Sequence, residues 1–373
     1  MSKLVIAGKF IIFFDITQLI NPQKWSVFCK MFVKVTILIK RQQNICNMDF
    51  KNPKLERALL ILVYALTFLV VAYVAVSLFV QATDNGAEAV DSAYNAEMRE
   101  NYGNYLPELP DTLSFCGERV PLEDFDVREA LDAELIKVMY WHSQMFIYIK
   151  RANRYFPTLR RVLAENRIHE DFLYLCVAES GMDHVVSPAK AVGFWQILES
   201  TGKDGGLEIN DEVDERYNIE KSTKVACKYF HQAHDKFGSW TMAAAAYNCG
   251  QAGLQKLIDR QGVNSYYELR NYTETGRYVF RILALKLVMQ NPEAYGFVYK
   301  EKDLYPEIKT RTIEVDSTIS DLAAFGREVS VNYKMLKLLN PWLRDTKLSN
   351  KHHKTYQIKV LDQATREGVY GQK

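Results

Sequence analysis

The chain carries almost no net charge: 47 lysines and arginines stand against 45 aspartates and glutamates, leaving +2 over 373 residues. So even a balance argues against nucleic-acid binding as the main role, which calls for a basic face. Cysteine is scarce too. Of the six present, Cys116, Cys176, Cys227 and Cys249 fall in the part read below as exported, where disulfides are allowed, but their spacing forms neither a disulfide framework nor a zinc pattern. His231 and His234 sit three apart beside Asp235 with no third ligand following, so they read as a solvated helix face, and no metal or cofactor is expected. Strand-like alternation is missing until about residue 311, which leaves a mainly α chain.

One segment lacks charge altogether. From Ala58 to Val80 no charged side chain occurs, and a run of that length crosses a bilayer as a helix. Lys51, Lys54 and Arg57 precede it, while Asp84, Glu88, Asp91 and Glu97 follow it. The positive-inside rule then places the carboxyl-terminal part outside the cytoplasm. A retained anchor fits better than a cleaved signal peptide at Val80-Gln81-Ala82, because the apolar core is longer than such signals have. No cysteine closely follows the span, which argues against a lipoprotein. Residues 1–47 are aromatic, apolar and basic, with Asp15 their single acid. They read as an over-extended start without function, Met48-Asp49-Phe50-Lys51 being the better beginning; native peptides spanning Phe10 to Lys40 would exclude this.

Chemistry is concentrated in three short motifs: Glu179-Ser180, Gly193-Phe194-Trp195-Gln196 and Ala246-Tyr247-Asn248. The run from Asp171 to Ala178 is apolar and helix-compatible, and Gly181 stands where a left-handed C-terminal residue is needed. Glu179 therefore falls in the last turn of a buried helix. Apolar surroundings and the negative end of the helix dipole both disfavour its charged form, so its pKa is expected to rise. A carboxylic acid protonated near neutral pH is what protonation of a glycosidic oxygen requires. The Gly193 motif follows the Ser187-Pro188 turn signal and is read as opening a further helical stretch through Ile197 and Leu198. Gly193 lets backbone approach closely, Trp195 stacks on a sugar or fills the core, and Gln196 offers a donor and an acceptor to an N-acetyl group. The alanine run Ala243 to Ala246 forms a helix that permits close packing and ends at Asn248-Cys249-Gly250, with Tyr247 able to bond Glu179 or the substrate.

In this order and spacing the motifs resemble the lytic murein transglycosylases of glycoside hydrolase family 23, which share a lysozyme-like helical fold; the membrane-bound murein transglycosylase D group is the most similar. Val213-Asp214-Glu215-Arg216, Phe237-Gly238-Ser239-Trp240 and Glu274-Thr275-Gly276-Arg277-Tyr278-Val279 are further marks of the likeness. The resemblance implies that Glu179 is the catalytic acid and then base, supported by Ser180, and that Ser187, Gln196, Tyr247, Asn248 and Tyr278 hold the glycan or orient the carboxyl group. Two departures stand out: Gly-Phe-Trp-Gln replaces the usual Gly-Leu-Met-Gln, and Lys190 replaces a small residue. The reaction implied is cleavage of the β-1,4 bond between N-acetylmuramic acid and N-acetylglucosamine, the C6 hydroxyl attacking C1 to give a 1,6-anhydro end. One carboxylate suffices, whereas ordinary glycosidases use two. Asp183, Glu199 and Asp204 read as solvated charges. A hydrolytic lysozyme of the same fold and a catalytically inactive wall-binding protein are the alternatives.

Late in the chain, Arg311 to Val315 and Thr355 to Val360 alternate, with helical patterns between them. This order resembles a LysM module, with Asp316-Ser317-Thr318 where a Gly-Asp-Thr turn is common; it reads as a glycan tether or as a structural cap. The expected organisation is an anchor at 48–82, a linker at 83–123, a lysozyme-like catalytic domain with a helical lead-in at 124–300 and a βααβ module at 308–362. Peptidoglycan strands and a membrane are the expected partners, nucleic acid is not one, and the cell envelope is the expected location, with a periplasmic catalytic domain.

Overall fold

The computed structural model describes residues 105–270 and 274–362. The expectations for residues 1–47, the membrane helix and the first part of the linker lie outside them. Among the described residues no helix is long and apolar enough to cross a membrane.

The described part is mainly helical. A short antiparallel hairpin, β1 (Ser114–Phe115) with β2 (Glu118–Arg119), comes first. Helices α1 (Phe125–Tyr140), α2 (His142–Glu165) and α3 (Phe172–Ser180) follow. After a short α4 (Glu199–Asp204) come α5 (Ile219–Phe237), α6 (Trp240–Cys249), α7 (Gln251–Gln261) and α8 (Glu274–Gln290). The chain closes with β3 (Thr310–Val315), α9 (Leu322–Glu328), α10 (Tyr333–Leu339) and β4 (Tyr356–Leu361). The helices expected between Asp124 and Phe156, over Glu220 to Phe237, and from Glu274 all form, as does the βααβ order at the end.

The centre is built on α3, where Phe172, Leu173, Leu175, Cys176 and Val177 are buried on every side. Each large apolar side chain so removed from water contributes on the order of 1.5–3 kcal/mol. Helix α6 packs on α5 and α8, its buried Ala243 to Ala246 letting backbones approach closely. Sequence sets its limits: the Ser239 hydroxyl accepts from Met242 N at one end, and Gly250 with φ +75° ends the helix at the other. Helix α8 packs along α1, α3 and α6.

The linker expected at 83–123 does not hold at its described end. Phe115, Val120 and Leu122 belong to the main core, and the hairpin is pinned by charge. Glu118 accepts from Ser239 Oγ, Trp240 N, Thr241 N and Thr241 Oγ1, capping α6. Lys286 donates to Ser114 O and to Asp171, both at 2.8 Å, and Asp171 also accepts from Cys116 N at 2.7 Å. Two-residue strands are too short for alternation to register, which is why composition read this stretch as linker and placed the first strands late.

The second core is shared. Val315, Leu322, Leu336, Trp342, Leu343, Tyr356 and Ile358 of the βααβ module cluster with Val192, Val213 and Tyr217 of the helical part. Strands β3 and β4 pair antiparallel from Thr310↔Leu361 to Val315↔Tyr356.

Candidate active site

Glu179 occupies the last turn of α3, and Gly181 reverses the chain with φ +61°. The ring of Tyr148 fills the space beside Gly181 so closely that a Cβ there would lie 2.1 Å from its Cε1. Met182 is also left-handed, at φ +57°. Arg151 stitches this bend, donating to Gly181 O at 3.1 Å and to Asp183 Oδ2 at 2.6 Å.

Glu179 is half-buried as a residue, and its carboxyl group takes a short hydrogen bond from the Tyr278 hydroxyl to Oε1. Desolvation dominates its titration, pushing the pKa up to about 7; the Tyr278 hydrogen bond and the Arg281 cation oppose this, and Glu274 reinforces it. Tyr278 itself is 1 % exposed, so the α8 backbone fixes where its hydroxyl sits.

The Gly193-Phe194-Trp195-Gln196 segment is not helical. Bridges Val186↔Val192 and Val192↔Ile197 make it the turn of a small β-hairpin, and helix begins only at Glu199. The reason is conformational: Gly193 (φ +77°), Gln196 (φ +48°) and nearby Lys190 (φ +61°) are left-handed, which an α-helix cannot accommodate. Gly193 is obligatory there, because a Cβ would meet Arg216 O at 2.6 Å. Trp195 is completely buried and donates Nε1 to Thr223 Oγ1 at 2.8 Å, so it fills the core rather than stacking on a sugar. Gln196 is half-buried and ties its amide nitrogen to Gly193 O (2.8 Å) and Val185 O (3.2 Å).

Ser180 joins the two motifs: its hydroxyl donates to Phe194 O at 2.8 Å and accepts from Met182 N at 3.1 Å. Ser187 Oγ accepts from Ala191 N at 3.0 Å, closing the loop before the hairpin. Tyr247 does not reach Glu179, because its hydroxyl donates to Trp195 O at 2.6 Å and locks the hairpin turn onto α6. Asn248 Oδ1 accepts from Thr275 Oγ1 at 2.7 Å, linking the end of α6 to the start of α8. Glu179, Ser180, Gln196, Tyr247 and Tyr278 are thus joined through direct bonds or the shared turn.

The other candidates for chemistry are engaged elsewhere. Glu199 pairs with Lys203 at 2.6 Å, and Asp204 is exposed on α4. His231 Nε2 bonds Asn166 O at 2.8 Å, and His234 stacks on Trp240 at 4.0 Å. Cys116, His169 and Asp171 come within metal-ligand spacing. Lys286 already occupies Asp171, and burial followed by the Asp171 charge pushes the Cys116 thiol well up, so the set fits a buried ion pair rather than a cation.

Sequence reasoning passed over Arg216, which is buried with Asp214 (2.7 Å) and donates to Lys190 O and Ile197 O. The Val213 to Arg216 motif was visible, but nothing in its composition says that all three of its charged residues, Asp214, Glu215 and Arg216, are buried. Arg281 was also missed. It contacts Glu274 at 2.7 Å and lies 3.8 Å from the buried Glu134.

Residues 161–269 match the transglycosylase SLT domain, and residues 311–364 match the C-terminal LysM-like domain of soluble lytic transglycosylases. The chain is homologous to the membrane-bound lytic murein transglycosylase D of Escherichia coli, being 29% identical to it over 195 residues in each of two strains. The match takes in 50% of this chain and 42% of the relative, so the chain spans about two fifths of the length of the curated relatives it matches.

Proposed function

We propose that this chain, which carries a lysozyme-like transglycosylase SLT domain and a LysM-like domain, is a peptidoglycan lytic transglycosylase. It cleaves the β-1,4 bond between N-acetylmuramic acid and N-acetylglucosamine and leaves 1,6-anhydro ends. The observation that carries this reading is a single carboxyl group, Glu179, kept protonated up to about pH 7 by desolvation. Tyr278 donates to Oε1, which leaves Oε2 to hold the acidic proton. Glu179 passes that proton to the leaving glycosidic oxygen and becomes a carboxylate. As a carboxylate it takes the proton of the C6 hydroxyl while that oxygen bonds C1 of the same sugar. The proton lost in the first half is regained in the second, and no water enters the product.

A hydrolase using two carboxylates needs its second one free to act as nucleophile or base. Asp183 is held by Arg151 and Glu274 by Arg281, which favours the intramolecular route. Ser187, Gln196 and Asn248 are assigned to glycan contacts, and Ser180, Tyr247 and Tyr278 to holding the turn and the acid. The substrate places the protein in the cell envelope, with the catalytic part on the periplasmic side and the uncharged run from Ala58 to Val80 as anchor.

Digestion of purified peptidoglycan by residues 83–373, read by mass spectrometry, tests this. Muropeptides one water lighter than lysozyme products, absent with Glu179→Gln, are expected. Reducing-end products would establish a lysozyme instead, and no product from the unaltered chain would leave a wall-binding protein.

A further inference from the structure

The βααβ module reads from sequence as a tether or a cap, and Val213 to Arg216 as a family mark without a task. In the fold the two explain one another. Residues Glu212 to Tyr217 form a strip with the module on one side and the Gln196 hairpin on the other. Toward the module, Val213 bridges Leu343, Asp214 N donates to Trp342 O (2.9 Å) and Arg344 N donates to Glu212 O (2.8 Å). The Glu212 carboxylate accepts from Ser349 N at 2.6 Å and Ser349 Oγ at 2.7 Å. Toward the hairpin, the Arg216 guanidinium holds Lys190 O at 3.2 Å and Ile197 O at 3.3 Å, while Asp214 fixes it from behind.

The hairpin needs this support. Lys190 and Gln196 are non-glycine residues in left-handed backbone, a strain that only the surroundings can offset. A second route reaches the same turn through rings. Arg344 lies 4.0 Å over the Tyr217 ring, Tyr217 contacts His184 at 5.7 Å, and His184 contacts Phe194 at 4.9 Å. Phe194 O is the acceptor of the Ser180 hydroxyl. The Nδ1 of His184 is buried without a hydrogen-bond partner.

We propose that the C-terminal module is a positioning element of the active site, which acts through the Glu212 to Tyr217 strip to fix the hairpin that presents Gln196, and is not a mobile glycan tether. The idea rests on the transglycosylase reading above. It makes Arg344 and Glu212 positioning residues, acting on substrate only through Tyr217, Arg216 and the hairpin.

The test uses a short soluble substrate, a tetrasaccharide of alternating N-acetylglucosamine and N-acetylmuramic acid, because a tether matters only on whole sacculi. For Arg344→Ala, kcat on the tetrasaccharide is expected to fall roughly ten- to a hundredfold, the scale of a misplaced active-site group. Arg344→Lys keeps a cation over Tyr217 and is expected to recover most of it. In parallel, NMR titration of His184 should move. Burial holds its pKa at about 4 in the intact chain, opposed by the Asp183 carboxylate and reinforced by the Arg344 and then the Arg151 cations, so Arg344→Ala should raise it. Unchanged kcat on the tetrasaccharide, with loss confined to KM on sacculi, overturns the proposal. Should Arg344→Ala fail to fold, calorimetry of the unaltered chain decides. One cooperative transition for module and helical part supports the shared body, and two separate transitions overturn it. Absence of anhydro products would sink the transglycosylase reading while leaving the calorimetric result standing.

Discussion

A desolvated acid is a destabilising acid, and Glu179 should therefore cost the protein stability in a way that depends on pH. Its carboxyl titrates at about 7 in the fold against 4.5 ordinarily, chiefly because of burial. Between those values the unfolded chain gives up its proton while the native state keeps it. The unfolded state then binds fewer protons, so stability falls as pH rises from about 4.5 to 7 and stays low above. At about 1.4 kcal/mol per pH unit between the two values, the ionised form costs on the order of 3 kcal/mol. Glu179→Gln keeps the oxygen that Tyr278 bonds and cannot ionise. The variant should match the unaltered protein at pH 4, where both side chains are neutral, and exceed it at pH 8.5. With roughly 2–4 °C of Tm per kcal/mol for a chain of this size, the gain at pH 8.5 is about 6–12 °C. Thermal melts of both proteins across this range measure it directly. Equal melting temperatures at pH 8.5, or an offset that is the same at pH 4 and pH 8.5, would refute the argument that desolvation holds the proton.

The same balance governs rate: activity should fall as pH passes about 7, and Tyr278→Phe, by removing a bond that favours the carboxylate, should move that limb to higher pH while lowering kcat. Arg281→Gln should also move it up, and Glu274→Gln, removing an anion, should move it down; pH–rate profiles that stay put in all three would contradict the assigned causes. Asp183→Asn breaks only the rim pair with Arg151, so kcat should drop by no more than a few fold, whereas a loss above a hundredfold would point to a second catalytic carboxylate. Gly193→Ala forces a Cβ toward Arg216 O in left-handed backbone and should destabilise the fold by about 2 kcal/mol or more in urea unfolding. Lys286→Met leaves Asp171 buried and unpaired and should cost about 3–5 kcal/mol by the same assay.

How far the sequence could be read depended on whether a feature is local. Helix α3, its Gly181 stop and the raised Glu179 follow from neighbours along the chain, because an apolar run ending in glycine carries both the helix and the desolvation. The βααβ order followed from alternation in β3 and β4, which are long enough to show it. Contacts between distant segments were not legible. Tyr247 looks free at the end of an alanine helix, yet its hydroxyl is taken by Trp195 O, fifty-two residues earlier. Glu118, in a stretch with the composition of a linker, caps a helix more than a hundred residues later. The hairpin at Gly193 reads as helix because its side chains suit one, and only the left-handed angles at Gly193 and Gln196 forbid it.

What separates Glu179 from the other buried acids is the number of donors around it. Burial raises every carboxyl it touches, and it is the largest single influence on Glu118 and Glu134 as it is on Glu179. At Glu118 the donors of Ser239, Trp240 and Thr241 outweigh it, and at Glu134 Arg277 and Lys137 do, so both are held below the ordinary range. Glu179 receives one phenol, and the Arg281 cation is shared with Glu274. Among the described residues it is the carboxyl whose shift resolves upward. A structural acid is solvated by the protein in place of water; this one is left under-solvated. That deficit holds the proton in place at neutral pH, as the proposed transfer to a glycosidic oxygen requires.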